Sequence, residues 1–580
     1  TGLPNTLYVV ENNIIENDLA RIISNNTLEW KITDRFKYKS VFGIDYNLAT
    51  FHQYDNPVHG DGANVNGDSQ QQVSRNLNLV AQNSLNYNYR YKLHSFDATA
   101  LFEYQKNTYN ELGAYGENIA SGGLTYVDNV VSNIAVNGSF NDWLNVSYLA
   151  LLNYNYNGKY VVDFTYRKEG SSRFAPGKRF GDFWSVGTAW NVHKEDFMAD
   201  TTFSELKLRG SIGTSGNNAI DLNQYQALLA YDANYAGNPA IYPSTYGNLN
   251  LQWEKNRTID LGVDFAILNN RISGSLGVYN KTTFDLLQDV PLSRTTGFNT
   301  LAANTGEIVN KGVEADLTFN AIQSKNFNWT ISTNYAFNDN EVTKLAKDAS
   351  GVDINIATGT KITKVGEAVG TWNMRKWAGV DPANGNPLWY INGKDGETTS
   401  IYNEAQIAVQ GKSLPTYTGG VSTHLDFKGV FFDASVYFAG GNKVFEDWAS
   451  YTQSSGTRTT VNYNGVETLL NRWQNPGDIT DVPKMDLTST GNNSAATSTR
   501  FLYDGDYIRI KDLTLGYSFN KEVLEKISLD GLTLSIRGTN LFTFVKDSRL
   551  KYDPEVRADG FTRLSTPPVK SVTFAMNFKF

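Results

Sequence analysis

The residues best equipped for molecular recognition are aromatic rings set in polar surroundings. Trp372, Arg375, Trp377, Trp389 and Tyr390 fall in one long stretch without strand periodicity, and Trp448, Tyr451 and Trp473 in the next. Flat aromatic faces pack against sugar rings or peptide side chains, while nearby polar groups fix orientation. The same rings also serve to pack loop on loop, or loop on a partner protein. A second set is charged. Asp260, Asp264, Glu314, Asp316, Asp426, Asp433, Arg509 and Arg537 stand at polar positions of alternating segments. There they would hydrate or brace a polar surface, touch a plug, or read cargo.

No catalytic constellation is visible, and no cofactor is implied. The five histidines (His52, His59, His94, His193 and His424) show no ligand spacing. No H-E-x-x-H, phosphate-binding loop or G-x-S-x-G occurs, so an enzyme is not expected. Asp504 with Asp506, and Asp553 with Glu555, admit calcium, but solvated carboxylates are the better reading. DPANGNP at 381–387 reads as a turn before an ion site. No metal site is expected. The chain has no Cys, which removes disulfides, thiolate metal sites and a Cys nucleophile.

These side chains need a scaffold, and its signal has period two. In VKSVTFAMNFKF (569–580), Val572, Phe574, Met576, Phe578 and Phe580 share one face, and Ser571, Thr573, Ala575, Asn577 and Lys579 the other. Paired alternating runs flank turns at Asn157-Gly158, Asn269-Asn270 and Lys428-Gly429. Asn-Gly between such runs is a strong hairpin signal. Aromatics make up 13% of the 580 residues and charged residues 19%, against ~25% charged in soluble domains. No apolar run reaches 18 residues, so a transmembrane helix is excluded. The net charge of −8 disfavours a nucleic-acid partner.

Short turns alternate with polar loops near 47–75, 105–144, 214–254, 286–309, 340–415 and 440–502. Strands of about ten residues, with short turns on one side and long loops on the other, define a transmembrane antiparallel β-barrel, all-β in class. Hydrocarbon satisfies no backbone group, so only helices or closed barrels span it. A soluble sandwich array or propeller would show a fixed repeat and no loop asymmetry. About 17 spanning strands are expected, the first at 27–33 and the last at 569–580. Both would run toward the periplasm, which makes the count odd, whereas bacterial single-chain barrels have even counts. The expectation is a partial barrel over 1–580, with further strands supplied from elsewhere. Trp143, Trp184, Trp190 and Trp329 are expected in the interfacial girdle.

Several segments resemble the SusC/RagA family of TonB-dependent outer-membrane transporters. They are SSRFAPGKRFGDFWSVGTAWNVHKEDFM (171–198), LKLRGSIGTSGNNAI (206–220) and NLQWEKNRTIDLGVDFAILNNRISGSLGVYNKTTFDLL (250–287). NTGEIVNKGVEADL (304–317), WAGVDPANGNPLWY (377–390), YIRIKDLTLGYSF (507–519), TNLFTF (539–544) and YDPEV (552–556) follow in order, ending on Phe580. The resemblance implies a 22-stranded barrel with an N-terminal plug and a TonB box, neither of which is present in these residues. It implies a Gram-negative outer membrane with lipid around the barrel, a periplasmic C-terminus and extracellular loops. It also implies a SusD-like surface lipoprotein as lid, energy through TonB, and nutrient uptake of glycan oligomers or peptides. The alternatives are a non-transporting structural subunit of a larger outer-membrane assembly, or a passive porin.

Overall fold

The structure is a computed structural model that describes residues 5–121, 123–456, 464–486, 492–525, 529–563 and 565–580. Of the long loop expected at 440–502, residues 457–463 and 487–491 lie outside the described residues. Among the described residues, no helix is long and apolar enough to cross a membrane.

Seventeen long strands are found among the described residues. They are β1 (Ile14–Lys31), β2 (Phe36–Asp55), β3 (Asp68–Tyr91), β4 (His94–Ile119), β5 (Val130–Tyr156) and β6 (Tyr160–Ser171). Next come β7 (Phe180–Asn191), β8 (Phe203–Asn217), β9 (Glu254–Ile267), β10 (Ile272–Phe284), β11 (Glu307–Gln323) and β12 (Phe327–Lys344). The last are β13 (Tyr417–Phe427), β14 (Val430–Gly440), β15 (Tyr507–Ser518), β16 (Gly531–Val545) and β17 (Ser571–Lys579). Every strand expected from the alternation is present. Contact clustering gives two compact units. The first contains β1–β6 and the second β10–β17, and in each the strands pair antiparallel with their neighbours in sequence.

The tight turns follow the sequence. Asn157 and Gly158 both take positive φ (53° and 64°), as do Lys428 and Gly429 (49° and 89°). Two left-handed residues make the hairpin turn whose twist matches the flanking strands. Alternation sorts the side chains into two faces. On the apolar face Leu515, Ile536, Phe574 and Met576 are exposed. Apolar exposure on this scale is a liability in water and the expected surface in lipid.

The expected boundaries need correction on the loop side. β1 begins at Ile14 rather than near residue 27. Much of the loops expected at 47–75 and 105–144 is strand, because β3, β4 and β5 run 24, 26 and 27 residues. Crossing hydrocarbon takes only ~9–11 residues. Beyond that length no apolar face is required, so the ladder continues in a sequence that looks like a polar loop.

The second unit also carries small sheets between its long strands. One joins 356–358, 361–363, Thr371–Arg375 and Ile407–Lys412. Another joins Trp377–Val380, Pro387–Tyr390 and Thr398–Thr399, and a third pairs Lys443–Phe445 with Leu502–Asp504.

Candidate functional site

The eight aromatic and basic residues singled out from sequence all lie in the loops of the second unit, and they separate by burial. Trp372 is fully buried among Met374, Phe445, Ala449, Phe501 and Leu502, with Phe561 edge-on at 5.1 Å. Its indole N–H donates to the Lys443 carbonyl at 3.1 Å. Lys361 Nζ lies 3.1 Å from the centre of the Trp372 ring and donates to the Gly370 carbonyl at 2.9 Å. Burial among these rings pushes the Lys361 amine down to about 7, only partly offset by Asp559.

Trp389 is also fully buried, edge-on to Trp377 at 5.7 Å and to Tyr402 at 5.2 Å. Arg375 sits 4.1 Å from the Tyr402 ring and donates from Nε to the Ala405 carbonyl at 2.9 Å. The buried Arg500 guanidinium covers Trp377 at 5.3 Å and donates to the Ser494 carbonyl at 2.7 Å. Trp372 and Trp389 thus hold loop against loop. Arg375, Trp377, Tyr390, Trp448, Tyr451 and Trp473 remain half-buried. Trp448, which precedes a single helical turn, and Tyr451 within that turn meet at 4.7 Å with their ring planes tilted by 43°.

DPANGNP forms the turn expected of it. The Asp381 carboxylate accepts from the Ala383 N–H at 2.9 Å and from Asn384 Nδ2 at 2.6 Å. Gly385 takes φ 74°, and a Cβ there would lie 2.4 Å from the Trp473 ring. Trp473 therefore seats on this turn, with its indole N–H on the Pro382 carbonyl at 3.0 Å.

The polar-face charges mostly pair across strands. Arg209 bridges Asp260 at 2.9 Å and Asp264 at 3.2 Å, and Lys207 reaches Asp264 at 3.4 Å. Gly262 makes room for that guanidinium, since a Cβ there would lie 2.5 Å from Arg209 Cζ. His424 pairs with Asp433 at 2.6 Å and Arg537 with Asp512 at 2.5 Å. Glu314, Asp316 and Asp426 have no ion pair among the described residues. Arg509 is the exception to surface placement. Its side chain is 1% exposed and held by Asp553 at 2.6 Å and Glu555 at 2.7 Å. The YDPEV carboxylates are therefore an arginine clamp. Asp504 and Asp506 are likewise taken, by Lys443 and Lys546. Among the described residues, no three His or acidic side chains group at metal-ligating spacing.

One cluster has no sequence signal. Asp55 of β2, Asp68 of β3 and Glu117 of β4 lie in register on adjacent strands in the first unit. Asp68 is 8% exposed. Burial, then Asp55, Glu117 and Asp61, pushes its carboxyl up to about 6. Only the register brings these residues together, and the register is not visible in sequence spacing.

In each unit, antiparallel strands with one apolar and one polar, ion-paired face, joined by tight turns and longer loops, fit the class of outer-membrane β-barrels. Residues 4–541 match the family described as TonB dependent receptor-like, beta-barrel. The chain belongs to that family. It is 28% identical over 600 residues to TonB-dependent receptor P3 of Formosa agariphila, covering 95% of this chain and 57% of that protein. It is 29% identical over 432 residues to TonB-dependent receptor SusC of Bacteroides thetaiotaomicron, covering 71% of this chain and 41% of that one. The fold superposes on a structure of the RagAB peptide transporter with TM-score 0.87 at 24% identity, over 98% of this chain and 63% of that one. The chain therefore spans about half the length of the curated relatives it matches.

Proposed function

We propose that these 580 residues are the barrel portion of a SusC-like importer. It takes up peptides or glycan oligomers too large for passive pores, together with a SusD-like surface lipoprotein and with energy delivered through TonB. The tight turns and Phe580 face the periplasm and the long loops face the outside. The observation that carries the reading is family membership over residues 4–541, in a chain whose polar face is cross-braced by ion pairs. The RagAB transporter, similar in fold, is a peptide importer, which supports peptides as the first cargo to test. Cargo contact is assigned to the half-buried Tyr390, Trp448, Tyr451 and Trp473, with Arg375 and Trp377 behind them. Trp372 and Trp389 act by holding the loops.

The test is uptake by cells lacking the gene. Labelled oligopeptides and oligosaccharides are supplied separately, and the complete gene is restored with Trp473→Ala or Tyr451→Ala. Loss of one cargo class on deletion, with about tenfold slower uptake in the ring variants, is expected for a stacking contact of ~1.4 kcal/mol. Unchanged uptake of every cargo after deletion would refute import. Protease accessibility of the loops in intact cells tests the orientation.

A further inference from the structure

In the first unit one strand keeps an open edge. β5 pairs with β4 along its whole length, but with β6 only from Asn145 to Tyr156. Just above that, the Ser172 N–H donates to the Leu144 carbonyl at 2.9 Å, and the Ser172 hydroxyl accepts from the Leu144 N–H at 2.9 Å. Leu144 therefore turns its backbone groups away from β4. Alternation turns those of Asp142, Phe140, Gly138 and Val136 the same way. Among the described residues, nothing bonds to these N–H and C=O groups. A bulge at Asn133, where φ is 48°, ends the row. Open edges are normally guarded by Lys, Pro or other charge. Residues 130–141 contain no charged residue and no Pro.

The side chains along this edge are apolar. Val136 and Phe140 continue the face that bears Tyr148 and Leu152 lower on β5, and all four are exposed. Leu112 of β4, also exposed, stands opposite Gly138, between them. A polar band separates this patch from Tyr148. Lys106 and Asp142 lie 3.8 Å apart on the same face, with Thr108 and Asn110 above them. Residues 145–156 already supply the ~9–11 residues that cross hydrocarbon. The patch and the open edge therefore lie beyond it. At the centre, a Cβ on Gly138 would meet the Glu111 carbonyl at 3.6 Å and nothing else within 4 Å. Nothing in the chain calls for glycine there. Glycine inside a strand often marks the close approach of another backbone.

We propose that this edge takes an added β-strand, an extended uncharged segment of the surface lipoprotein that lids the importer. The inference rests on the lid and the orientation proposed above. Four outward-facing residues match a segment of about eight, and its alternate apolar side chains would cover Val136, Phe140 and Leu112. A lipid offers no matching row of donors and acceptors. Cargo would pass on the opposite, polar face. A second copy of the chain does not fit. Antiparallel pairing of two copies would turn one of them over in the membrane. Parallel pairing about an axis along the membrane normal would set N–H against N–H. A protein held by a lipidated N-terminus leaves the membrane near the level of Lys106 and Asp142, where the open edge begins. Its tether climbs while β5 descends, so the two pair antiparallel, as the other strands do.

The test compares the complete transporter purified with its lipoprotein and from cells lacking the lipoprotein gene, both in mild detergent. Hydrogen exchange is read residue by residue across 130–144. The amides of Val136, Gly138, Phe140 and Asp142 are expected to exchange about tenfold more slowly in the complex, as for one ordinary hydrogen bond each. Those of Ala135, Asn137, Ser139 and Asn141, which face β4, should not change. Gly138→Lys places a charge where the chain has room for it. It is expected to lower the co-purified lipoprotein about tenfold and to leave the β4-facing amides as they were. Gly138→Ala should keep the lipoprotein. Equal exchange with and without the lipoprotein would overturn the proposal, and so would slowing shared by both sets of amides. Full lipoprotein recovery with Gly138→Lys would overturn it as well. If no lipoprotein co-purifies with the unmutated chain, the lid reading itself falls and takes this inference with it. Equal exchange in a complex that does form removes the added strand alone.

Discussion

Two sets of carboxylates near loop-side strand ends show how differently the same residue type is used. In the first unit Asp55, Asp68 and Glu117 stand in register on neighbouring strands, with no ion pair to any of them among the described residues. Burial first, and then the like charges directly opposite on the sheet, make Asp68 resist ionising. In the second unit Asp553 and Glu555 converge on one buried guanidinium, and Lys511 adds a further contact to Glu555 at 2.7 Å. There the carboxylates neutralise a charge that could not otherwise be buried. The first set is an electrostatic cost carried by the fold, and the second is a fastener.

The contrast can be broken by substitution. Replacing Asp553→Asn and Glu555→Gln together strands Arg509 as a buried, unpaired charge. A loss of about 3 kcal/mol is expected, read as a lower denaturation midpoint and faster hydrogen exchange across 547–563. Unaltered exchange there would show that the clamp does not hold the segment.

Asp68→Asn should have the opposite sign. The folded chain keeps a proton on Asp68 between the ordinary value of 3.8 and about 6. The unfolded chain releases it in that window, so stability falls as pH rises through it and the penalty is complete above it. The Asn variant should gain about 1 kcal/mol at pH 7.5, after discount for solvent screening, and nothing near pH 3.5. A gain independent of pH would mean that the effect is not electrostatic.

Lys361 sharpens the comparison with a cation that has rings rather than a carboxylate as its close neighbours. Its pKa falls from 10.5 to about 7, so the unfolded chain binds the extra proton between those values. Stability therefore rises with pH across that window. Lys361→Met should be the more stable form at pH 6, by less than about 1 kcal/mol once screening is counted. The difference in melting temperature should close as pH approaches 10.5. A constant difference would point to packing instead.

The strands were legible because hydrocarbon imposes a period-two apolar face and hairpins demand particular turn residues. Where the ladder leaves the hydrocarbon, as in the outer parts of β3 to β5, that demand ends and the strand reads as a loop. The loop aromatics were legible as a group but not in their roles. Nothing periodic distinguishes the buried Trp372 from the half-buried Trp448. Asp553 and Glu555 stood out by spacing, yet their partner Arg509 lies more than forty residues away, on β15. The in-register row at Asp68 could be seen only once three strands had been aligned.

Pairing between neighbours in sequence has a consequence for how the chain comes together. Within β1–β6 and within β10–β17, every long strand pairs with the next long strand in sequence, so the pairings with low contact order lie at the tight turns. The Asn157-Gly158 and Lys428-Gly429 turns can start hairpins that zip toward the loops. The cost of closing a loop grows only with the logarithm of its length, so the long segments 345–416 and 441–506 slow the meeting of β12 with β13 and of β14 with β15 more than they weaken it. Assembly would then proceed hairpin by hairpin, with the long loops the last parts to find their places.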